Sequence, residues 1–238
     1  MLPYLHLMYI SLGPVKIYTW GLFVSLGFLA ATLFLIKKYP TQKDHFVNIL
    51  LYVLISAIIG ARLFFVVFYS AVPAKDIFKI WQGGMSSFGG FIGGVLAIFI
   101  YCRYKKLNLY ELFSKAAFAL PLGLAIARVG CFLLNEHPGI KTIASPISVA
   151  YPDGPRFDLG LILMLFDALL FIYFLLKRKG FYLECLLAFY GFGRFFLDFL
   201  RVGETTYAGL LPSQYGSILM LGIALYLIIK NKRYGFYK

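Results

Sequence analysis

Seven long apolar stretches dominate this sequence and constrain its fold more than any other feature. They run roughly over residues 18–36, 46–70, 86–102, 113–134, 159–176, 181–200 and 210–229. A helix needs about 20 predominantly apolar residues to cross the hydrocarbon core of a bilayer. We therefore expect an all-α integral membrane protein in which seven transmembrane helices form a single polytopic membrane domain over residues 1–238.

The composition agrees with a membrane protein and argues against a soluble one. Hydrophobic residues make up 61% of the chain and charged residues 14%, and the mean hydropathy is +0.81. An ordinary soluble domain has about 45–50% apolar and about 25% charged residues. The cysteines show no spacing typical of a zinc site or of a disulfide framework. We therefore predict that the protein uses no metal and no cofactor.

The positive charges predict how the chain lies in the membrane. The formal net charge is +13. Thirteen lysines and arginines fall after the first, third and fifth stretches and in the C-terminal tail, against six on the opposite side. Cytoplasmic loops carry such an excess. We therefore place the N-terminus outside and the C-terminus in the cytoplasm, and we attribute the charge to topology rather than to nucleic-acid binding.

Four polar residues fall on one face of the sixth stretch, in the segment FYGFGRFFLDFLR. Tyr190, Arg194, Asp198 and Arg201 are spaced so that a continuous helix would align them in a narrow stripe. Ionisable residues inside a membrane are costly and mark functional sites. The alternative is an Arg194–Asp198 pair that neutralises itself. That alternative leaves Arg201 and the Tyr190 hydroxyl unexplained, so we favour a functional site.

The fourth stretch ends in IARVGCFLLNEHPG, which places Arg128 inside the membrane and Glu136 just beyond it. The planar guanidinium of arginine matches phosphate geometry, so we predict that Arg128 binds a lipid phosphate. The alternative is an arginine that extends to the headgroup region. Glu136 is either an interfacial anchor or a group that orients the arginines or accepts a proton. Arg62 is another isolated cation, in the second stretch.

Two further segments carry predictions. The segment GGMSSFGGFIGG contains Gly90 and other glycines at four-residue spacing, which either permits close helix packing or makes room for a lipid. Residues 135–158 form an outer loop that is long for a connector, so we expect a lid or a docking loop. Within it, His137 is expected to be a solvated side chain.

These segments together resemble the prolipoprotein diacylglyceryl transferase family of bacterial inner membranes. The resemblance covers nearly the whole chain, from SLGPVKIYTWGL through GARLFFVVF, ARVGCFLLNEHPG and YGFGRFFLDFLR to LLPSQYGSIL. It implies seven spans with the N-terminus outside. It also implies transfer of the diacylglyceryl group of phosphatidylglycerol to the lipobox cysteine thiol of a prolipoprotein, with glycerol phosphate leaving and a thioether as product.

The resemblance also assigns residues. The family signature GRxGNFxNxExxG is matched at Arg128, Gly130, Phe132, Glu136 and Gly139. In the later motif Tyr190, Arg194 and Arg201 match, and Asp198 stands where the family usually has Glu. The resemblance implies that Arg128 binds phosphatidylglycerol and that Arg194 is essential.

The sequence also departs from the family pattern. Phe88 stands where the family has a histidine often proposed to activate the thiol, and Cys131 and Leu134 replace the two asparagines of the signature. These departures keep open a catalytically altered or inactive homologue that binds phospholipid, and an enzyme with a different headgroup or acceptor. A small-solute transporter is disfavoured, because no inverted repeat is visible.

We therefore expect a transferase of the bacterial cytoplasmic membrane whose active site faces the outer leaflet. Its partners would be phosphatidylglycerol, the lipobox segment of a prolipoprotein and membrane lipids. The predicted catalytic residues are Arg128, Arg194 and Glu136, with Glu136 as the base. The predicted substrate-binding residues are Tyr190, Arg201, Asp198, Arg62, Gly90 and Gly139.

Overall fold

A computed structural model describes residues 1–13, 15–69, 78, 84–177 and 181–233. Ser70, at the end of the second predicted stretch, and Gly83, at the start of the glycine-rich segment, lie outside these residues. The helices of the described residues are α1 (Thr19–Lys38), α2 (Lys43–Tyr69), α3 (Ser87–Lys105), α4 (Leu109–Leu134), α5 (Leu159–Leu176), α6 (Tyr182–Leu197) and α7 (Pro212–Arg233). The strands are β1 (Tyr9–Leu12), β2 (Val15–Tyr18), β3 (Pro138–Lys141), β4 (Ser148–Tyr151) and β5 (Gly154–Asp158).

Within the described residues, six helices are long and apolar enough to cross a membrane, namely α1 to α5 and α7. This result confirms a mostly helical membrane protein. The sixth predicted stretch forms α6, which has only 16 residues and is followed by a 3-10 turn over Asp198–Leu200. A helix of that length is shorter than the roughly 20 residues that a span needs. The count of seven spans and the orientation of the termini stay predictions.

The loop predicted over residues 135–158 contains a small antiparallel sheet. Its strand order is β3-β5-β4. The β4–β5 hairpin turns through Pro152 and Asp153, since Tyr151 pairs with Gly154. Proline, aspartate and glycine are the residues that favour such turns. The N-terminal segment joins this sheet, because the Leu2 amide donates to the Ser148 carbonyl at 2.8 Å and the Ala150 amide donates to the Leu2 carbonyl at 3.0 Å.

The chain divides into two compact units, the first comprising residues 1–31 and 114–238 and the second residues 32–113. In the first unit, Gly123 of α4 lies so close to α1 that an added Cβ would be 3.1 Å from the Gly27 carbonyl oxygen. Aromatic rings join α4, α5 and α6, with the Phe118 and Tyr182 ring centroids 4.5 Å apart and those of Phe118 and Phe174 6.2 Å apart. The prediction of one membrane domain stays untested.

The second unit consists mainly of α2 and α3, packed through small residues. A Cβ added to Gly89 would overlap the Gly60 carbonyl oxygen, and one added to Gly93 would overlap that of Ser56. Such close approach is typical of small residues at four-residue spacing in membrane helices. Gly89 and Gly93 therefore have a packing role in α3, which is the first of the two interpretations of this segment.

Candidate functional site

An ion-paired cluster lies where α6 ends in the first unit. Asp198 is 1% exposed, with its Oδ2 3.3 Å from Arg194 Nε and its Oδ1 3.6 Å from Arg201 Nε. The predicted single helical stripe is not continuous here, because α6 ends at Leu197 and Arg201 has extended backbone. The 3-10 turn nevertheless brings both arginines to the same carboxylate. Asp198 therefore holds two guanidinium groups side by side.

This cluster retains buried donors. Arg194 is 9% exposed. Among the residues that the structure describes, Arg194 Nη1 and Arg201 Nε have no hydrogen-bond partner. Arg201 Nη1 donates to the more exposed carboxylate of Glu204. A buried donor without a partner costs about 1–3 kcal/mol, so these N–H groups suit an anionic ligand with several acceptor oxygens.

Arg128 reaches the same end of the unit from α4. Its guanidinium interacts with the Tyr190 hydroxyl of α6 and with the Asp167 carboxylate of α5, and its Nη1 lies 3.9 Å from Cys131 Sγ. Asp167 is fully buried, and neither of its oxygens has a hydrogen-bond partner among the described residues. Asp167 also interacts electrostatically with Arg194. The structure therefore brings Arg128 together with Tyr190 and Arg194, which the sequence analysis had predicted on a different segment.

His137 differs from its prediction as a solvated side chain, because it is half-buried beside this cluster. Burial, followed by the positive charges of Arg201, Arg128 and Arg194, lowers the pKa of its imidazole to about 4. His137 is therefore neutral at physiological pH. The sequence could not show this, because Arg194 and Arg201 belong to a segment far from His137 along the chain.

Glu136 lies just after α4 and is exposed. The Tyr18 hydroxyl, at the end of β2, donates to Glu136 Oε1 at 3.4 Å. Burial, the Glu136 charge and this hydrogen bond raise the pKa of Tyr18. The carboxylate thus sits one residue before His137 with access to solvent. Its predicted role as a base stays a prediction.

A buried polar network that the sequence analysis missed supports the Glu136–His137 segment. Asn135 has a φ of 50°, a backbone region that asparagine tolerates. Its Nδ2 donates to Asp158 Oδ2 at 3.1 Å, and its Oδ1 accepts from the Leu5 amide at 2.9 Å. The Tyr151 hydroxyl donates to the same Asp158 oxygen at 2.6 Å. The turn residues Pro152, Asp153 and Gly154 were the sequence signal for this hairpin.

Asp158 links the network to α5. Its Oδ1 caps the helix by accepting from the Leu161 amide at 2.9 Å. Burial raises the pKa of the Asp158 carboxyl, and the hydrogen bonds from Tyr151, Leu161 and Asn135 partly offset this effect. The network therefore fixes the end of α4, the start of α5 and the N-terminal segment relative to one another.

Gly139 lies where the strand β3 passes close to other backbone. An added Cβ would be 2.9 Å from the Phe157 carbonyl oxygen and 3.0 Å from that of Leu200. Gly139 also pairs with Arg201 in an isolated β-bridge, and its carbonyl accepts from Arg156 Nη1 at 2.9 Å. Glycine at this position thus lets the sheet approach the arginine cluster. Its predicted part in substrate binding is not tested by this geometry.

Arg62, Gly90 and Phe88 all belong to the second unit. Arg62 is 5% exposed, and its Nη1 donates to the Gly84 carbonyl at 3.0 Å. Gly90 packs on α2. A Cβ added there would lie 3.6 Å from the Ala57 carbonyl oxygen, which is an ordinary contact. Phe88 is exposed and lies beside Phe64. The substrate-binding roles of Arg62 and Gly90 stay predictions.

The described residues contain no group of three or more His, Cys, Asp or Glu side chains placed to hold a metal ion. The site presents arginine, carboxylate, imidazole and phenol groups. Three guanidiniums, one of them with a neighbouring phenol, can bind an oxyanion and stabilise negative charge that develops on it.

Comparison with known proteins identifies sequences similar to this chain over nearly its whole length. The family model described as prolipoprotein diacylglyceryl transferase matches residues 7–230. A phosphatidylglycerol–prolipoprotein diacylglyceryl transferase of Streptococcus equi subsp. zooepidemicus is 31% identical, over 94% of this chain and 94% of that protein. A protein of the same name from Francisella tularensis subsp. holarctica is 30% identical, over 86% of this chain and 83% of its own length.

Proposed function

The chain belongs to the prolipoprotein diacylglyceryl transferase family, and we propose that it transfers the diacylglyceryl group of phosphatidylglycerol to the lipobox cysteine of a prolipoprotein. This reaction is the first step of bacterial lipoprotein maturation. The names of the relatives in Streptococcus and Francisella give both substrates. The proposal extends those names to this chain.

The observation that carries the proposal is the arginine cluster of the first unit. Arg194 and Arg201 both pair with Asp198, Arg194 Nη1 is buried without a hydrogen-bond partner among the described residues, and Arg128 interacts with Tyr190 beside them. Arginine binds phosphate oxygens in a planar, bidentate way. A phosphodiester headgroup supplies the acceptors that these donors require, which supports phosphatidylglycerol as the ligand.

The proposed chemistry is a displacement at the carbon of the diacylglyceryl group that is bonded to the phosphate oxygen. The thiolate of the acceptor cysteine attacks this carbon, the carbon–oxygen bond breaks, and its electron pair goes to the phosphate oxygen. Arg128 and Arg194 stabilise the charge on the departing glycerol phosphate. In a site with little water, removing one such donor typically lowers the rate by about 10²–10³-fold.

The attacking thiol must first lose its proton, since the thiolate is the nucleophile and a free cysteine has a pKa of about 8.5. We assign this proton transfer to Glu136, whose carboxylate is exposed and lies one residue before His137. The hydrogen bond from Tyr18 fixes one of its oxygens, and the positive charge of Arg128 would favour the thiolate that forms.

The remaining predicted residues would bind the lipid or orient the arginines that bind it. We propose that Tyr190 and Arg201 bind headgroup oxygens and that Asp198 orients Arg194 and Arg201, as its two ion pairs suggest. Gly139 would bring the sheet close to the headgroup. Arg62 and Gly90 are proposed to bind lipid from the second unit.

We further propose seven spans with α6 as the seventh membrane helix, the N-terminus outside and the C-terminus in the cytoplasm. The distribution of lysine and arginine supports this orientation. It places the 135–158 loop and the arginine cluster at the outer leaflet of the bacterial cytoplasmic membrane. The lipobox segment of the prolipoprotein and membrane lipids would meet the protein there, within a single membrane domain.

Complementation of a cell depleted of its own transferase tests the proposal, with mass spectrometry of a reporter lipoprotein as the readout. We expect the reporter to gain the mass of one diacylglyceryl group. A protein that binds phosphatidylglycerol but produces no mass increase would be a lipid-binding homologue, and the proposal would be wrong.

The assigned residues are tested in the same cells with Arg128→Ala and Glu136→Gln. Both variants should lose most of the modification. Arg103→Gln, which removes an exposed charge at the end of α3, is the matched control and should modify the reporter normally. Near-wild-type modification by both site variants would overturn the residue assignment.

A further inference from the structure

His137 has a half-buried imidazole close to three arginines and takes no part in the transfer as described above. Two residues after it, Gly139 pairs with Arg201 in an isolated β-bridge, which brings this segment to the arginine cluster. The positive charges of Arg201, Arg128 and Arg194 act on the His137 imidazole. Its own carbonyl accepts from the Leu159 amide at 3.1 Å, which fixes its backbone at the start of α5. Its imidazole has no hydrogen-bond partner among the described residues.

A phosphate that binds these arginines would change the charge around His137. Arginine charge and burial hold the pKa of His137 at about 4. An anion bound to the same guanidiniums offsets their positive field, and an opposite charge nearby favours the protonated imidazole. Binding of the phosphate and protonation of His137 therefore favour each other.

We propose that His137 contacts the phosphate of the lipid headgroup, takes up a proton when that phosphate binds, and gives this proton to the oxygen that leaves. This role rests on the transferase function proposed above and adds a residue to it. It is separate from the role of Glu136, which is assigned the proton of the acceptor thiol.

The transfer moves two protons and one electron pair. Glu136 takes the proton of the acceptor thiol, and the sulfur forms its bond to the glyceryl carbon. The electron pair of the broken carbon–oxygen bond goes to the phosphate oxygen, which receives the proton of His137. The products are the thioether and a glycerol phosphate monoanion; His137 is then neutral again, and Glu136 releases the proton of the thiol to solvent.

The pH dependence has a defined direction. The complex with lipid binds one more proton than the free protein between the two pKa values of His137. Phosphatidylglycerol should therefore bind more weakly as the pH rises through the pKa of His137 in the complex. Carboxylates near the cluster act on the same equilibrium, and they are Glu136, Asp158, Asp167, Asp198 and Glu204.

Histidine nuclear magnetic resonance tests the proton uptake directly. The full chain contains only His6, His45 and His137, so ¹⁵N-histidine labelling in maltoside micelles gives few signals, and His137→Gln assigns them. Adding phosphatidylglycerol should raise the titration midpoint of His137 by about 1–3 pH units. The His45 signal, from the second unit, serves as the internal control.

The source of the phosphate is distinguished in a parallel titration with soluble glycerol phosphate. A shift that requires the lipid supports the proposal. If glycerol phosphate shifts His137 and phosphatidylglycerol does not, the site binds a free phosphate, and the proposal is wrong. An unchanged midpoint with both ligands also overturns it.

Transfer to a lipobox peptide tests the catalytic role. His137→Gln should reduce the rate by about 10²–10⁴-fold at pH 7 and should remove the decline that the wild type shows as His137 loses its proton. A merely structural role would lower the rate and leave the shape of the pH profile unchanged, and this result would contradict the proposal. The matched control is His45→Gln, which removes an imidazole bonded to Tyr101 in the second unit.

The two proposals fail in different ways. If the wild type transfers lipid and His137→Gln is equally active, only the role of His137 is wrong. If the wild type transfers nothing, the transferase function is wrong, and so is the catalytic part of the His137 proposal. The resonance experiment then still decides whether His137 and the arginines bind the lipid phosphate.

Discussion

Both units of this protein bury arginine among apolar helices, and they treat it differently. In the second unit, Arg62 donates to the carbonyl of Gly84, so this guanidinium is bonded to the protein's own backbone. In the first unit, Arg194 and Arg201 both form ion pairs with Asp198, and Arg194 Nη1 is buried without a hydrogen-bond partner among the described residues. The unused Nη1 of Arg194 supports an anion site in the first unit, whereas the bond to Gly84 holds the guanidinium of Arg62 on the backbone in the second.

The packing around the arginines differs in the same way. In the second unit, glycines bring α2 and α3 into backbone contact, as at Gly60 and Gly89. In the first unit, the sheet meets the cluster at the Gly139–Arg201 bridge, and a buried Asn135–Asp158 network joins the sheet to α5 and to the N-terminal segment. Rigid polar support of this kind is what a site needs to hold charged groups in place before the substrate binds.

The largest expected effect is on catalysis in the first unit. Arg194→Gln removes a guanidinium whose Nη1 is not used within the described structure. We expect the rate of diacylglyceryl transfer to fall by at least about 10²–10³-fold, because developing negative charge loses a cationic donor. The measurement is the rate of mass increase of a lipobox peptide in phosphatidylglycerol vesicles.

Arg103→Gln is the control for this variant, since it removes the same charge from an exposed position. The thermal unfolding midpoint should change far less in Arg194→Gln than the rate does. A variant that loses stability in proportion to its activity would show that Arg194 is structural, and the contrast between the two units would fail.

The second prediction concerns Arg62, whose bond to the backbone should make its replacement lower the stability of the protein in addition to any effect on lipid binding. Arg62→Lys replaces the planar donor that reaches the Gly84 carbonyl, and hydrogen bonds to charged groups contribute about 1.5–3 kcal/mol. The free energy of unfolding in detergent should fall by up to this amount. If stability is unchanged and lipid affinity falls instead, Arg62 resembles the arginines of the first unit, and its predicted role in substrate binding is favoured.

The third prediction tests the glycine contact between α2 and α3. Gly89→Ala places a Cβ against the Gly60 carbonyl oxygen and Phe64 Cβ, and such overpacking costs about 1–3 kcal/mol. Gly94→Ala is the matched control, because its Cβ would lie 3.5 Å from Val53 Cγ1, an ordinary contact. Equal unfolding midpoints for the two variants would contradict the packing role of Gly89.

The sequence predicted these two units unequally. Apolar length alone located the helices, because a helix in lipid satisfies its own backbone and needs only the right length of apolar residues. The i, i+4 spacing predicted the Arg194–Asp198 pair, and the structure confirms that contact at 3.3 Å. The same spacing placed Arg201 beside these residues, and Arg201 does pair with Asp198. The continuous helix that the spacing assumed is not present, because α6 ends at Leu197.

The polar support of the site was not predicted. Asn135, Tyr151 and Asp158 meet only after the chain has formed the β4–β5 hairpin and returned to α5. Strands of four or five residues give little periodicity, and their pairing depends on the turn at Pro152 and Asp153. The field around His137 was missed for the same reason, since spacing along one segment does not reveal charges from other segments.

The smallest expected effect comes from that network. Tyr151→Phe removes the hydroxyl that donates to Asp158 at 2.6 Å, and a hydrogen bond of this kind contributes about 1 kcal/mol. The effect should depend on pH. Burial raises the pKa of Asp158 in the folded protein, and the Tyr151 bond opposes this by stabilising the carboxylate. The stability that such a carboxyl contributes is fully present when the pH is below its pKa in the unfolded protein. It is lost as the pH rises through its higher pKa in the folded protein.

Loss of the Tyr151 hydroxyl therefore destabilises the folded protein most when Asp158 is charged. The variant should lose about 1 kcal/mol of unfolding free energy at pH 7 and less at about pH 4, as measured by denaturation in detergent at both values. Tyr207→Phe, at an exposed side chain, is the control and should change stability little at either pH. Equal losses at both pH values would show that Tyr151 acts by packing alone, and that the sheet supports the arginine cluster without help from the buried carboxylate.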